Sequence, residues 1–300
     1  MENDSDNSTE PLSVMPPDPR HKDRRHRHYE RPLKVRRVPL QHGWYWLIEG
    51  FMLWKRSPAF LSFLAFSCLI AIIVVWITPD IGGMLGSILY PGLMLGVFNG
   101  CRAIDRKRIL SPALLISGFR RHAFDLLLAG FCSFIVMTAI QWSTWPIDGG
   151  KLWQELEREK LDWTVFSSPP LLYSSIVTGI LSTLWLALYL FVPQLIGWWR
   201  LSVPKALIYS MRGCLFNLLP FFVYTFCYCF FIIILSALVI NFFGLVAEGL
   251  GVVVCTVFIL ISAPALIASF YVAARDIFGF PRRRKHRQKK QAPSPDLRKR

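Results

Sequence analysis

Charge is scarce in the middle of this 300-residue sequence, and acid is the scarcer sign throughout. Charged residues make up 18% of the chain, with 19 Asp+Glu against 34 Lys+Arg and a net charge of +15. Intramembrane ionisable groups usually mark ion and proton pathways. Inside the apolar runs described below, Asp125 is the only acid, and it follows Arg120, Arg121 and His122. That neighbourhood predicts a pairing at one membrane interface, not a proton relay. Catalytic signatures are missing too. There is no HExxH, GxSxG, P-loop or Rossmann fingerprint, and no serine is matched with a His and an acid at a shared depth. The chain is therefore expected not to be an enzyme and to need no cofactor and no metal. Strand alternation is absent, which argues against an outer-membrane barrel. None of the seven cysteines falls in an outer loop, so no disulfide is expected. No basic start with an early apolar stretch marks an export signal, so the N-terminus is expected to be retained.

What is present is apolar. Hydrophobic residues are 53% of the chain, with 11 Trp and 23 Phe, and the mean hydropathy is +0.40. Disordered chains and ordinary soluble domains do not combine these features. About 20 apolar residues cross the hydrocarbon core as a helix, and in hydrocarbon every backbone group must be bonded internally. Six segments qualify: 58–78, 81–101, 122–142, 171–196, 217–240 and 250–274. The fold class read from these is all-α, a polytopic membrane protein with six transmembrane helices plus cytoplasmic interfacial helices.

Orientation follows from the connections. Lys and Arg number 31 in the N-terminal segment, the 102–121 and 197–216 loops and the tail, against 3 in the connections on the opposite side. This alternation predicts both termini in the cytoplasm of a bacterial inner (plasma) membrane. The domain reading is a disordered basic arm at 1–42, a transmembrane domain at 43–280 and a disordered basic tail at 281–300. The tail cluster Arg282, Arg283, Arg284, Lys285 and Arg287 reads as an orientation signal and an anionic-lipid contact. Nucleic acid is not expected as a partner, because no aromatic residues interleave with that charge. His21, His26 and His28 read as a solvated arm.

Three stretches precede the odd-numbered spans: 44–58, 112–121 and 204–213. Each reads as an interfacial helix, and together they suggest a threefold unit of interfacial helix plus hairpin. In the first, Trp44, Leu47, Ile48, Phe51 and Trp54 share one face. Gly92, Gly96 and Gly100 recur at fours in span two, where small residues let backbones approach. Two readings stand for them, packing within the chain and a dimer interface. Pro193, Pro220 and Pro264 predict kinks. The 143–170 loop reads as a short amphipathic surface helix in which Arg158 and Asp162 could pair.

Several motifs carry a family resemblance. They are Arg37-Val38-Pro39 with Gly43 to Phe51 and Trp54 to Pro58; Gly92 to Gly96 with Cys101 to Asp105; Ser210 to Phe221; and Tyr271 to Phe278. Over residues 36–280 the chain resembles a group of uncharacterised bacterial six-helix inner-membrane proteins. More distantly it resembles the membrane domain of glycerophosphodiester phosphodiesterases. The catalytic barrel of those enzymes needs some 200–250 further residues, so the resemblance implies architecture and no catalytic residue. The expected role is a non-enzymatic membrane module that engages membrane lipids or a protein partner, a second copy included. A passive conduit or exporter for a small uncharged or amphipathic solute is the alternative.

Overall fold

The computed structural model describes residues 33–156, 168–244 and 250–279. Two units are distinguished, Met1–Lys34 and Val35–Arg300, and the architecture below belongs to the second. Among the described residues there is no strand. Six helices are long and apolar enough to cross a membrane.

Helix α1 (His42–Arg56) precedes the spans. It turns Gly43, Trp46, Gly50 and Leu53 inward, a stripe at helical spacing. The face read from the sequence is the other one, with Trp44 and Phe51 about half exposed. The buried stripe is set by contact. A Cβ at Gly43 would stand 2.2 Å from the Pro220 carbonyl oxygen, and one at Gly50 would stand 2.6 Å from the Ser269 backbone. Only glycine lets α1 lie this close to its neighbours.

Ser57 then breaks the helix, and Pro58 opens α2 (Pro58–Trp76) at a first-turn position, where its missing N–H is not needed. A tight turn containing Asp80 at φ 61° leads into α3 (Gly82–Asp105). After α3 the chain enters Pro112–Gly118, whose Ser111 hydroxyl accepts from the Ala113 amide at 3.3 Å. This segment, expected as an interfacial helix, winds as a 3₁₀ helix. Its packing gives the reason. A Cβ at Gly96 would lie 2.0 Å from the Leu115 carbonyl oxygen, and one at Gly118 would lie 2.2 Å from that of Gly92. The segment sits backbone to backbone on α3, a fit suited to the tighter 3₁₀ winding. Gly92 faces the Phe119 ring, and Gly100 faces Leu64 of α2.

Helix α4 (Phe119–Ser143) carries a non-helical residue at His122. Two short helices, α5 (Trp145–Asp148) and α6 (Lys151–Leu156), follow. The buried Asp148 carboxylate accepts from the Gly150 and Leu152 amides at 2.9 and 3.0 Å, joining the two. The Arg158–Asp162 pairing and the rest of the outer amphipathic helix lie outside the described residues.

The fourth span differs from expectation. Instead of one helix there are two, α7 (Pro169–Tyr189) and α8 (Val192–Trp199), parted at Leu190–Phe191. Pro193 lacks an N–H and crowds the carbonyl four residues back, which removes one helical bond at the break. The backbone groups freed by the break are taken up by α9 (Val203–Phe216). Phe191 N donates to Ser210 Oγ at 3.2 Å, and the Cys214 thiol donates to the Ala187 carbonyl at 3.0 Å. Burial pushes the Cys214 thiol up to about 12, which keeps it in the protonated, donating form.

Helices α10 (Leu218–Gly244) and α11 (Leu250–Phe278) complete the chain. Only 6% of the α10 window is buried, and Phe222, Phe226, Phe230 and Ile233 point outward. A helix apolar all round and exposed is matched to hydrocarbon, not water. Neither Pro91 nor Pro264 interrupts its helix. Pro220 falls in the first turn of α10.

Candidate functional site

Ion pairs among the described residues gather at one end of the spans, where α1, α3 and α11 meet. Arg275, near the end of α11, is the hub. Its guanidinium pairs with Glu49 of α1, lies 3.7 Å from Asp105 of α3 and 3.4 Å from its neighbour Asp276. Asp105 also accepts from the Tyr271 hydroxyl at 2.9 Å, and Arg56 approaches it at 3.9 Å. Asp276 accepts from the Trp46 indole at 3.1 Å and meets the His42 ring at 3.3 Å. Each of these three acids thus has a cationic or N–H partner. A half-buried carboxylate left alone there would cost several kcal/mol.

A second connection runs through Asn217, which is fully buried between α9 and α10. Its Oδ1 accepts from the Val38 amide at 2.8 Å. Its Nδ2 donates to the carbonyls of Arg36 at 3.0 Å and Gly213 at 2.9 Å. The Arg36 amide in turn donates to the Ile277 carbonyl at 2.9 Å. The stretch before α1 is thereby held to the ends of both α10 and α11. A third group links α3 to α8. The Trp198 indole donates to Asn99 Oδ1 at 2.9 Å, Asn99 Nδ2 donates to Ser117 Oγ at 2.9 Å, and Arg102 stacks on the Trp198 ring at 5.2 Å.

These connections enclose a cleft of about 600 Å³ lined by Arg36, Arg37, Val38, Pro39, His42, Arg275, Asp276 and Gly279. Arg275 and Asp276 are engaged with each other and with their other partners. Arg36 and Arg37 form no ion pair among the described residues, and Arg37 lies over the Phe216 ring at 5.1 Å. The cleft therefore presents two guanidinium groups without an ion pair among the described residues, a group type suited to bidentate bonding of carboxylate or phosphate. Next to Phe216 in the chain begins an apolar groove of about 430 Å³ between α7, α9 and the start of α10. It runs from Gly179 and Thr183 to Leu215 and Leu218.

The residues singled out from the sequence fall elsewhere. Arg282, Arg283, Arg284, Lys285 and Arg287 lie outside the described residues. Gly92, Gly96 and Gly100 are buried against neighbouring segments of the same chain. Asp125 forms no hydrogen bond or ion pair with the described residues, so the expected pairing is not seen among them. No group of three metal-ligating side chains occurs among the described residues. Sequence reasoning missed Glu49, Asp105, Tyr271, Arg275 and Asp276. A signal was there: all five sit in the stretches that carry the family resemblance, and Asp105, Arg275 and Asp276 sit near helix ends.

Comparison with known proteins agrees with this architecture. The chain is 29% identical over 258 residues to a probable inner membrane protein of Burkholderia thailandensis, covering 81% of this chain and 93% of that protein. No family model matches the chain, and no solved structure matches it. Together, the relative and the six apolar helices support a multi-pass inner-membrane protein.

Proposed function

We propose that this protein is a non-enzymatic inner-membrane module that holds an anionic phospholipid at its basic end. The observation that carries the reading is the cleft, with Arg36 and Arg37 unpaired beside the saturated Arg275 cluster. Arg37 lies over the Phe216 ring, and the neighbouring residue Leu215 lines the apolar groove. A phosphate headgroup on the arginines and an acyl chain along the groove would use both. The orientation belongs to the same proposal. The Lys/Arg asymmetry sets the cleft and both termini on the cytoplasmic side, where anionic lipid attracts basic segments by about 1 kcal/mol per residue. Residues Arg282 to Arg287 would add to that attraction. We read the resemblance to the membrane domain of glycerophosphodiester phosphodiesterases as one of architecture, extending to no hydrolytic step.

The test is native mass spectrometry of the full chain released from nanodiscs of mixed phosphatidylglycerol and phosphatidylcholine. Retained phosphatidylglycerol is expected for the wild type. The double variant Arg36→Gln/Arg37→Gln should lose about tenfold in that preference. Equal retention of both lipids by the wild type would overturn the reading. Added inorganic phosphate that abolishes retention would assign the cleft to a free anion instead.

A further inference from the structure

A second set of polar side chains lies within the spans, and none of it belongs to the basic end. Ser174, Thr178, Trp185 and Tyr189 of α7 recur four, seven and four residues apart, which keeps them on one stripe of a helix. The Trp185 indole donates to Ser133 Oγ of α4 at 3.1 Å, so the stripe faces α4. Beyond the break stands Gln194 of α8, fully buried, in a helix that packs on α3, α4 and α9.

The hydroxyls of Ser174, Thr178 and Tyr189 and both amide atoms of Gln194 are buried. None has a hydrogen-bond partner among the described residues. Buried polar groups are almost always bonded, and hydrocarbon offers them nothing. The neighbouring chain does not satisfy them, although Ser210 and Cys214 do satisfy the backbone freed by the break. From Ser174 to Tyr189 the rise along α7 is about 22 Å, most of the thickness of the hydrocarbon core, and Gln194 follows beyond the break.

The chemistry of the row selects its occupant. It offers hydroxyls and an amide, and no charge. An ion would need a countercharge in the span. An alcohol both donates and accepts, as the Gln194 amide and the three hydroxyls do. Broken helices that line a polar interior are also where membrane proteins tolerate irregular backbone.

We propose that the seam between α4 and α7–α8 is a transmembrane path for small uncharged hydroxylated solutes, with Gln194 as its principal hydrogen-bonding contact. The full chain, reconstituted in phosphatidylcholine–phosphatidylglycerol vesicles, is tested by stopped-flow light scattering under a glycerol gradient. Glycerol entry at least several-fold faster than in protein-free vesicles is expected. Gln194→Leu and the isosteric Thr178→Val should each return it toward the protein-free rate. Both replace an unpartnered polar group by an apolar one, so neither should lower thermal stability. Arg36→Gln/Arg37→Gln should leave entry unchanged, which separates this path from the lipid cleft. Wild-type entry at the protein-free rate, or equal entry in wild type and both variants, would overturn the proposal.

Discussion

The basic end and the α4–α7–α8 seam treat polar groups in opposite ways. At the basic end, Glu49, Asp105 and Asp276 share Arg275, and Asn217 saturates three backbone groups. In the seam, Ser174, Thr178, Tyr189 and Gln194 stay unmatched among the described residues. A saturated network ties helices together, because removing one member strands the others. An unsaturated row gives the fold nothing and is open to an occupant. The same side-chain chemistry is structural in one region and available in the other.

Removing the hub should show the contrast most strongly. Arg275→Gln removes the ion-pair partner of Glu49 and one of the partners of Asp105 and Asp276, so a loss of about 2–3 kcal/mol is expected. A clear drop in the detergent melting temperature would register it, and an unchanged melting temperature would show that the acids find water instead. Next comes Gly96→Ala, which drives a methyl onto the Leu115 carbonyl; overpacking of this kind costs about 1–3 kcal/mol. Asn217→Ala should cost about 1–3 kcal/mol by leaving Val38 N unpaired, and limited proteolysis should then cut first between Arg36 and Pro39. In the seam the sign turns round. Ser174→Ala removes a buried hydroxyl without a partner, so stability should stay level or rise by about 1 kcal/mol. Thermal unfolding beside the wild type decides it, and a marked loss would reveal a partner for that hydroxyl. Asp125→Asn should give the smallest effect, with melting temperature and glycerol entry both unchanged.

Much of the fold was legible because its cause is local. Six apolar runs of sufficient length announce six helices, and the starts at Pro58 and Leu250 coincide with the helix starts. The fourth span was read as one helix although Pro193 stood in view. Proline permits both a kink and a break, and only the presence of Ser210 and Cys214 on α9 made the break tolerable. The 112–121 stretch is legible in the sequence as an interfacial helix, but its winding is not. Its 3₁₀ form comes from close docking onto Gly92 and Gly96, a contact between segments. The candidate site was barely legible. Asp125, inside a span, and the basic tail stand out in the sequence, while Asp105, Arg275 and Asp276 lie near helix ends, where charge is ordinary, and Glu49 lies within an interfacial helix.

By itself the sequence determined the number and length of the apolar helices and the uneven placement of Lys and Arg. Both follow from single segments meeting hydrocarbon or water, with no reference to the rest of the chain. Only the tertiary structure decided that Arg275 meets Glu49 and Asp105, that Asn217 grips the chain at Arg36 and Val38, and that the Gln194 amide is left without a partner among the described residues. Those outcomes depend on helices far apart in sequence approaching within a few ångströms. Glycines at 43, 50 and 96 permit that approach, but a glycine in a sequence does not name the surface it will touch.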